Sequence, residues 1–463
     1  MRQSLLALCV IAALSTPAHA TTPAKSSRAH AASMTVQQRL DALEARVETL
    51  ETNNATLRKQ ASDATVDAQA THAELDQIKT AQAAAPVVEA AAAEPSAAPS
   101  GANGNAFNPG ISIVLNGAYA HNSIDPKTFY RSGFPLAGGA GIPQQGLSIA
   151  ESEVTLSANI DEKFFGQLIL TASNDNGQDH VGVENAFIET TSLPNGFGVR
   201  AGRFFSDIGY LNSHHAHTDN FYDRPLAYQA FLGGQYGDDG VQVHWLAPTP
   251  FYLEFGVEAF GGTQFPSGGG AHGGVGVKTG FVKAGGDIND NTSWLAGLSV
   301  LDSATAGADD GFSGNDRIYV ADGTLKWAPN GNTKDGGMTV RGEYLRDRRH
   351  GVYTVPSDPQ LGDPLIDQPW VGTRSGGYLE TVWRLNRIWE LGYRFDKLWA
   401  DRTGPFASGF DPSRNSLELT WINSEFSRVR LQFSRELPNP FDTNNVWTLQ
   451  YQTALGAHGA HAF

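Results

Sequence analysis

Three histidines within four positions, His214, His215 and His217, form the densest group of imidazoles in the chain, with Asp207, Asp219 and Asp223 nearby in sequence. Imidazole together with carboxylate suits Zn²⁺ or another borderline divalent ion. The His-x-His spacing of 215 and 217 can set two rings on one side of an extended segment. His214, His215 and His217 are therefore the candidate metal ligands, zinc the candidate ion, and no other cofactor is expected. The plainer reading of the same three side chains, and the favoured one, is polar loop residues hydrogen-bonded to a neighbouring wall. His458 and His461 have opposite strand parity, so only a turn could aim both at one ion.

Other reactive patterns are weaker. Asp309, Asp310 and Asp316, and Asp358, Asp363 and Asp367, could hold Ca²⁺ or bridge lipopolysaccharide, but they lack the twelve-residue calcium-loop spacing and read as solvated charge. Ser206, followed by Asp207 and the histidines, invites a hydrolase reading, the least favoured here. No Gly-x-Ser-x-Gly context surrounds the serine. Glu254 and Glu258 are spaced as same-face neighbours on a strand, which any polar face provides. No catalytic residue and no enzyme is expected.

The frame that holds these residues begins with an export signal. Arg2, the apolar stretch Leu5 to Leu14 and the small-x-small site Ala18-His19-Ala20 predict cleavage after Ala20. The single cysteine, Cys9, lies inside that segment, so the mature chain would carry no disulfide and no thiolate ligand. A net charge of -15 and an exported destination argue against nucleic acid as a partner. Residues 21–35 lead into a heptad seam over 36–80. Its a positions include Leu40, Val47, Asn54 and Leu75, and its d positions Val36, Leu43, Leu50, Leu57 and Ile78. Such a seam needs partner chains and predicts an oligomer. Residues 81–109, rich in Ala, Pro and Ser, read as a linker.

From 110 to 463 the pattern changes to alternating strands. Leu417, Leu419 and Trp421 oppose Glu418 and Thr420, and Trp447, Leu449 and Tyr451 oppose Thr448, Gln450 and Gln452. Fifty-one glycines and a mean hydropathy of -0.29 fit a barrel that hides its apolar face in alternation. The fold class predicted is an all-β transmembrane barrel of about sixteen antiparallel strands, preceded by the α-helical coiled coil in the periplasm. Trp294, Trp327, Trp389 and Trp421 fall at strand ends on the apolar parity, as an aromatic girdle requires. Short turns such as 193–195 and 289–291 alternate with long connections at 122–146, 206–236, 303–315, 348–375 and 400–412. That puts the long side outside and both chain ends in the periplasm. Strand parity then assigns a lumen lining of Glu151, Glu153, His244, Glu254, Glu258, Lys326, Arg341, Glu343, Glu390, Arg394, Glu418, Arg428 and Arg430.

With signal, coiled coil, linker and barrel in this order, the chain resembles the trimeric porins of the phosphate-selective O/P type. Arg203 to Asn212, His215-Ala216-His217, Phe231 to Gly240 and the ending Leu455 to His461 are similar to outer-membrane proteins labelled zinc-regulated or TonB-dependent receptors. The local likeness covers mainly 107–260 and the last twenty residues. A receptor of that type implies a wider barrel with a globular plug, whereas 21–109 read as helix and linker. The porin resemblance implies a third long loop, 206–236, that folds inward and narrows the pore. The function expected is passive diffusion of small solutes or ions through a water-filled lumen in the outer membrane, with lipid and lipopolysaccharide around it. Loop 206–236 would set selectivity. The alternative is a receptor that captures zinc with the histidine loop.

Overall fold

The computed structural model describes residues 109–137, 140–175, 178–268, 274–306, 311–356 and 365–456. The chain divides into two compact units, Met1–Ser96 and Ala97–Phe463, and the described residues belong to the second. The expected signal, coiled coil, nearly all of the linker and the terminal Phe463 fall outside them.

Strands β1 (Gly110–Asn122), β2 (Gly146–Ile149), β3 (Ser152–Asn159), β4 (Phe164–Asp175), β5 (Gln178–Thr190), β6 (Phe197–Phe205), β7 (Gly237–Leu246), β8 (Tyr252–Phe260) and β9 (Val277–Asn289) make the first half. The second half comprises β10 (Thr292–Ala306), β11 (Phe312–Trp327), β12 (Gly337–Pro356), β13 (Leu365–Arg384), β14 (Trp389–Trp399), β15 (Ser413–Ser424), β16 (Ser427–Leu437) and β17 (Asn444–Gly456). Every neighbour is antiparallel, and β17 returns to pair with β1, so the sheet closes. Both β2 and β3 pair with β1 and are two pieces of one stave, which makes a sixteen-stave barrel. Closure removes the free edges that would otherwise leave backbone donors unpaired in lipid.

Burial along the strands is the reverse of a water-soluble sheet. On β15, Leu417, Leu419 and Trp421 are 50%, 39% and 40% exposed, while Ser416, Glu418 and Thr420 are each 1% exposed. Apolar residues point outward all the way round, including Leu147, Val257, Leu298, Leu379 and Leu449. So large an apolar surface is stable only against hydrocarbon. Phe197 and Phe255 each stack on Trp245 near one rim, and Trp327, Trp389 and Trp421 are exposed at that same short-turn end. Among the described residues no helix is long and apolar enough to cross a membrane; the strands make the crossing.

Two expected long connections are shorter than the sequence implies. β10 runs to Ala306 and β11 starts at Phe312, while β12 and β13 extend to Pro356 and from Leu365. The charged run that ends in Arg348-Arg349 has no apolar alternation, so from 348 onward it reads as loop. In the fold Arg349 pairs with Asp316 at 2.9 Å, and Arg374 with Asp347 at 2.8 Å, on the inward face of these strands. Asp316 is accordingly 1% exposed rather than solvated. Asp367 accepts a hydrogen bond from Thr354 at 2.8 Å, and Asp309, Asp310, Asp358 and Asp363 lie outside the described residues.

A closed barrel of this kind should resist detergent at room temperature. The expected result is a heat-dependent shift in gel mobility and a strand-dominated far-ultraviolet circular dichroism spectrum. A helix-dominated spectrum would contradict the fold.

Candidate functional site

The connection Ser206–Tyr236, between β6 and β7, folds into the lumen. Its helix α1 (Leu226–Leu232) is buried at every one of its seven residues. A helix apolar all round needs cover on all sides, and the barrel supplies it. Leu345, Tyr378 and Leu398 of β12–β14 join the same apolar core, and Phe134 of the first long loop meets Phe231 edge-on at 5.9 Å. Gly376 permits this approach, because a Cβ there would meet the side chains of Leu398, Ala227 and Phe231. The lumen is thus not polar and water-filled throughout, as expected from strand parity. Parity assigns only which side chains point inward, not what they meet there.

Inward polar residues tie the loop down. Glu343 accepts from the backbone of Tyr210 and Leu211 at 3.0 and 3.1 Å, from Tyr228 Oη at 2.8 Å and from Tyr378 Oη at 2.7 Å. Burial, with the Glu343 charge beside it, holds the Tyr228 hydroxyl well above its usual pKa, so it remains a donor. Gly209, at φ +62°, sits where a Cβ would collide with Glu343 and Tyr228. Asp223 is held by Arg394 at 3.0 Å and by Arg414, and both guanidinium groups also reach Asp396. Burial opposes its charge, yet Arg414 and Arg394 keep the Asp223 carboxyl below the usual range. Glu258 accepts from Ser206 Oγ and, at 2.9 Å, from the Asp207 backbone; Arg341 lies 3.9 Å over the Tyr210 ring. Arg428 donates to the His217 carbonyl, and Arg430 to that of Asp219 at 2.6 Å. Asn212 closes the base of the loop, donating to the Ser206 and Tyr236 carbonyls at 2.7 Å each.

The three histidines separate. His214 turns away: its Nδ1 lies 2.7 Å from the Tyr210 carbonyl, and its ring stacks on Tyr210 at 4.4 Å. Burial pushes its pKa down to about 3, so it is neutral. His215 and His217 stay together, rings 5.8 Å apart, facing the wall. His217 Nδ1 lies 2.6 Å from Glu153 Oε1; His215 Nδ1 lies 3.0 Å from Glu184 Oε2 and 3.8 Å from Glu153 Oε2. Burial works against a charged His215, but the Glu184 hydrogen bond and the charges of Glu184, Glu153 and Glu151 raise its pKa. One donor atom each from Glu153, Glu184 and His215 lies within 4.8 Å of the other two.

Strand irregularities make this meeting possible. In the β4–β5 register Ile169 faces Asn185 and Leu170 faces Val183, so Glu184 is the unmatched residue of a β-bulge. A bulge switches strand parity: Val181 and Val183 face out before it and Ile188 after it, and the Glu184 side chain between them is only 8% exposed. On the adjoining stave Gly117 faces Ile149 and Val114 faces Glu153, leaving one extra residue between β2 and β3 beside Glu151. Alternation leaves Glu184 undecided; the consecutive polar pair Glu184-Asn185 within an apolar strand is the signal that marks it.

The remaining lumen candidates lie toward the short-turn end. His244 pairs with Glu254 at 2.8 Å and Glu189 at 3.8 Å, and Arg200 with Glu189 at 2.8 Å. Glu390 pairs with Arg384 at 3.2 Å, Glu418 accepts from Thr420 at 2.5 Å, and Lys326 is half-buried on β11. This end keeps partial exposure, 22% at Arg200 and 23% at Glu189, and carries both signs of charge. Ser206 is fully buried with its hydroxyl on Glu258 and not on a histidine, which removes the hydrolase arrangement.

No protein-family model matches the chain. A protein of Aquifex aeolicus (strain VF5) described as uncharacterized is 29% identical over 395 residues, which are 77% of this chain and 80% of that one. Among solved structures, the chain is similar to the outer membrane channel DcaP of Acinetobacter baumannii, with a TM-score of 0.49 and 9% identity over 75% of this chain and 97% of the other. It is also similar to the anion-selective porin from Comamonas acidovorans, with a TM-score of 0.47 and 9% identity over 75% and 99%.

Proposed function

We propose that the protein is an outer-membrane channel for passive diffusion of small solutes or ions, narrowed by loop 206–236. One observation carries this reading: a closed barrel with an apolar outside holds, inside, the long loop 206–236, tied to staves from β3 round to β16. A sixteen-stave barrel without such a loop leaves an aqueous channel. With it, passage is confined to the space beside the loop, bounded at the short-turn end by Arg200, Glu189, His244, Glu254 and Lys283. Mixed charge at close quarters selects by size and local field rather than by one sign. Purified protein in planar bilayers should show small, stable conductance steps. Absence of any current from correctly folded barrel would refute the channel.

Trimeric assembly belongs to the same reading and is supported by the heptad seam Val36 to Ile78. Leu43→Asp with Leu50→Asp buries charge at that seam and should abolish cross-linked trimers while the barrel still folds. Trimers that persist unchanged in the double variant would show that the seam does not join chains.

A further inference from the structure

We propose that Glu153, Glu184 and His215 form a site for a divalent transition-metal ion, best fitted to Zn²⁺, that staples the inward loop to the β3–β5 wall. Binding of the ion stands on the local geometry alone; its effect on current rests on the channel reading. One imidazole and two carboxylates give the nitrogen–oxygen donor set that zinc accepts, and two negative charges balance the ion. With metal–ligand distances of about 2.0–2.1 Å, a tetrahedral site places its donors roughly 3.3–3.4 Å apart. The His215 Nδ1 distances of 3.0 Å to Glu184 and 3.8 Å to Glu153 bracket that edge, so small side-chain shifts complete the geometry.

The surroundings are those of a ligand shell. His217 Nδ1 lies 2.6 Å from Glu153 Oε1 and leaves Oε2 turned toward His215. On the far side of His215, Nε2 lies 3.4 Å from the Asn185 amide nitrogen, while Asn185 Oδ1 is buried without a partner. Turning that amide over puts Oδ1 on an Nε2–H, which is the tautomer required when Nδ1 holds a metal. The amide is thus placed to serve the metal-bound state and satisfy its own orphaned oxygen. A cavity of about 240 Å³ lined by Glu184, Arg203 and Gln235 lies against one of the three ligands. The position also matters. The loop's other polar anchors run from Arg200 on β6 and Gln242 on β7 round to Arg430 on β16, so the ion would add a tie on the β3–β5 part of the wall.

The test uses the full-length protein in detergent, folded by the heat-shift criterion, titrated calorimetrically with zinc chloride. Wild type should bind one ion per chain saturably. Glu184→Gln and His215→Asn should each weaken binding at least tenfold, a size typical for loss of one ligand or its support. His214→Asn should bind as wild type, because His214 faces Tyr210. X-ray absorption of the bound ion should show one imidazole and oxygen neighbours with no sulfur. In bilayers, zinc should alter current through wild type and leave the Glu184→Gln channel unaffected. No saturable binding, or binding that survives in both ligand variants, overturns the site. Binding as expected without any current from the folded barrel upholds the site and overturns the conduction reading.

Discussion

Deleting the inward part of the loop, residues 213–234, and joining Asn212 to Gln235 through a short Gly-Ser bridge should raise single-channel conductance several-fold. The backbone ladder of the barrel does not run through the loop, so every stave keeps its pairing. What disappears is α1 and the apolar core around it, together with the cover over Arg394, Arg414, Glu343 and Asp396. Those charges, each 3% exposed or less, would then meet water. A charge freed into water regains its hydration, so the lumen should fill rather than collapse. Conductance should also become more dependent on ion type, because the newly exposed Arg and Asp groups are unevenly distributed round the wall. If conductance stays at the wild-type level in a correctly folded deletion, the path does not run where the loop sits.

Glu343→Leu should release the loop without unfolding the barrel. The carboxylate has no solvent and four donors, two of them backbone N–H groups of Tyr210 and Leu211. Leucine leaves all four without an acceptor inside an apolar core. Each such loss is worth roughly 1–3 kcal/mol, so the combined cost is on the order of 5 kcal/mol before water or rearrangement relieves it. That exceeds what a seven-residue helix contributes by itself and should favour a displaced loop. Proteolysis between Gly209 and Tyr236 should become rapid, and single-channel current should become noisy. Glu343→Gln keeps the shape but turns an amide N–H toward donors, and should give an intermediate effect. The heat-modifiable gel shift should be retained in both. A variant as protease-resistant and quiet as wild type would place the decisive anchor elsewhere, at Asp223 with Arg394 and Arg414.

The barrel was legible in the sequence because its cause is local. Each stave alternates apolar and polar residues with period two, and lipid on one side forces that alternation. The spans 413–423 and 444–454 read from alternation differ from β15 and β17 by no more than two residues at either end. Where alternation lapses, the reading fails, as at Arg348 and Arg349, where Arg349 finds Asp316 on another strand. The inward direction of Glu153, Glu258, Glu343, Arg394 and Arg430 also followed from parity.

What those residues touch did not follow. Glu343 meets Tyr210 from 133 positions away, and Arg414 meets Asp223 from 191. No periodicity carries information across such distances. The histidine cluster was visible as composition, but its division into His214 on Tyr210 and His215 with His217 on the wall depends on how the loop lies across the lumen. Glu184 shows the limit most clearly. Alternation counted from Val181 and Val183 turns it inward, and alternation counted back from Ile188 sends it to lipid. A single unmatched residue in the β4–β5 register settles it toward His215. The sequence alone determined which face of each strand meets hydrocarbon, because the solvent on each side acts on every residue separately. Only the tertiary structure decided which inward groups meet one another, because that depends on closure of the barrel and on one bulge.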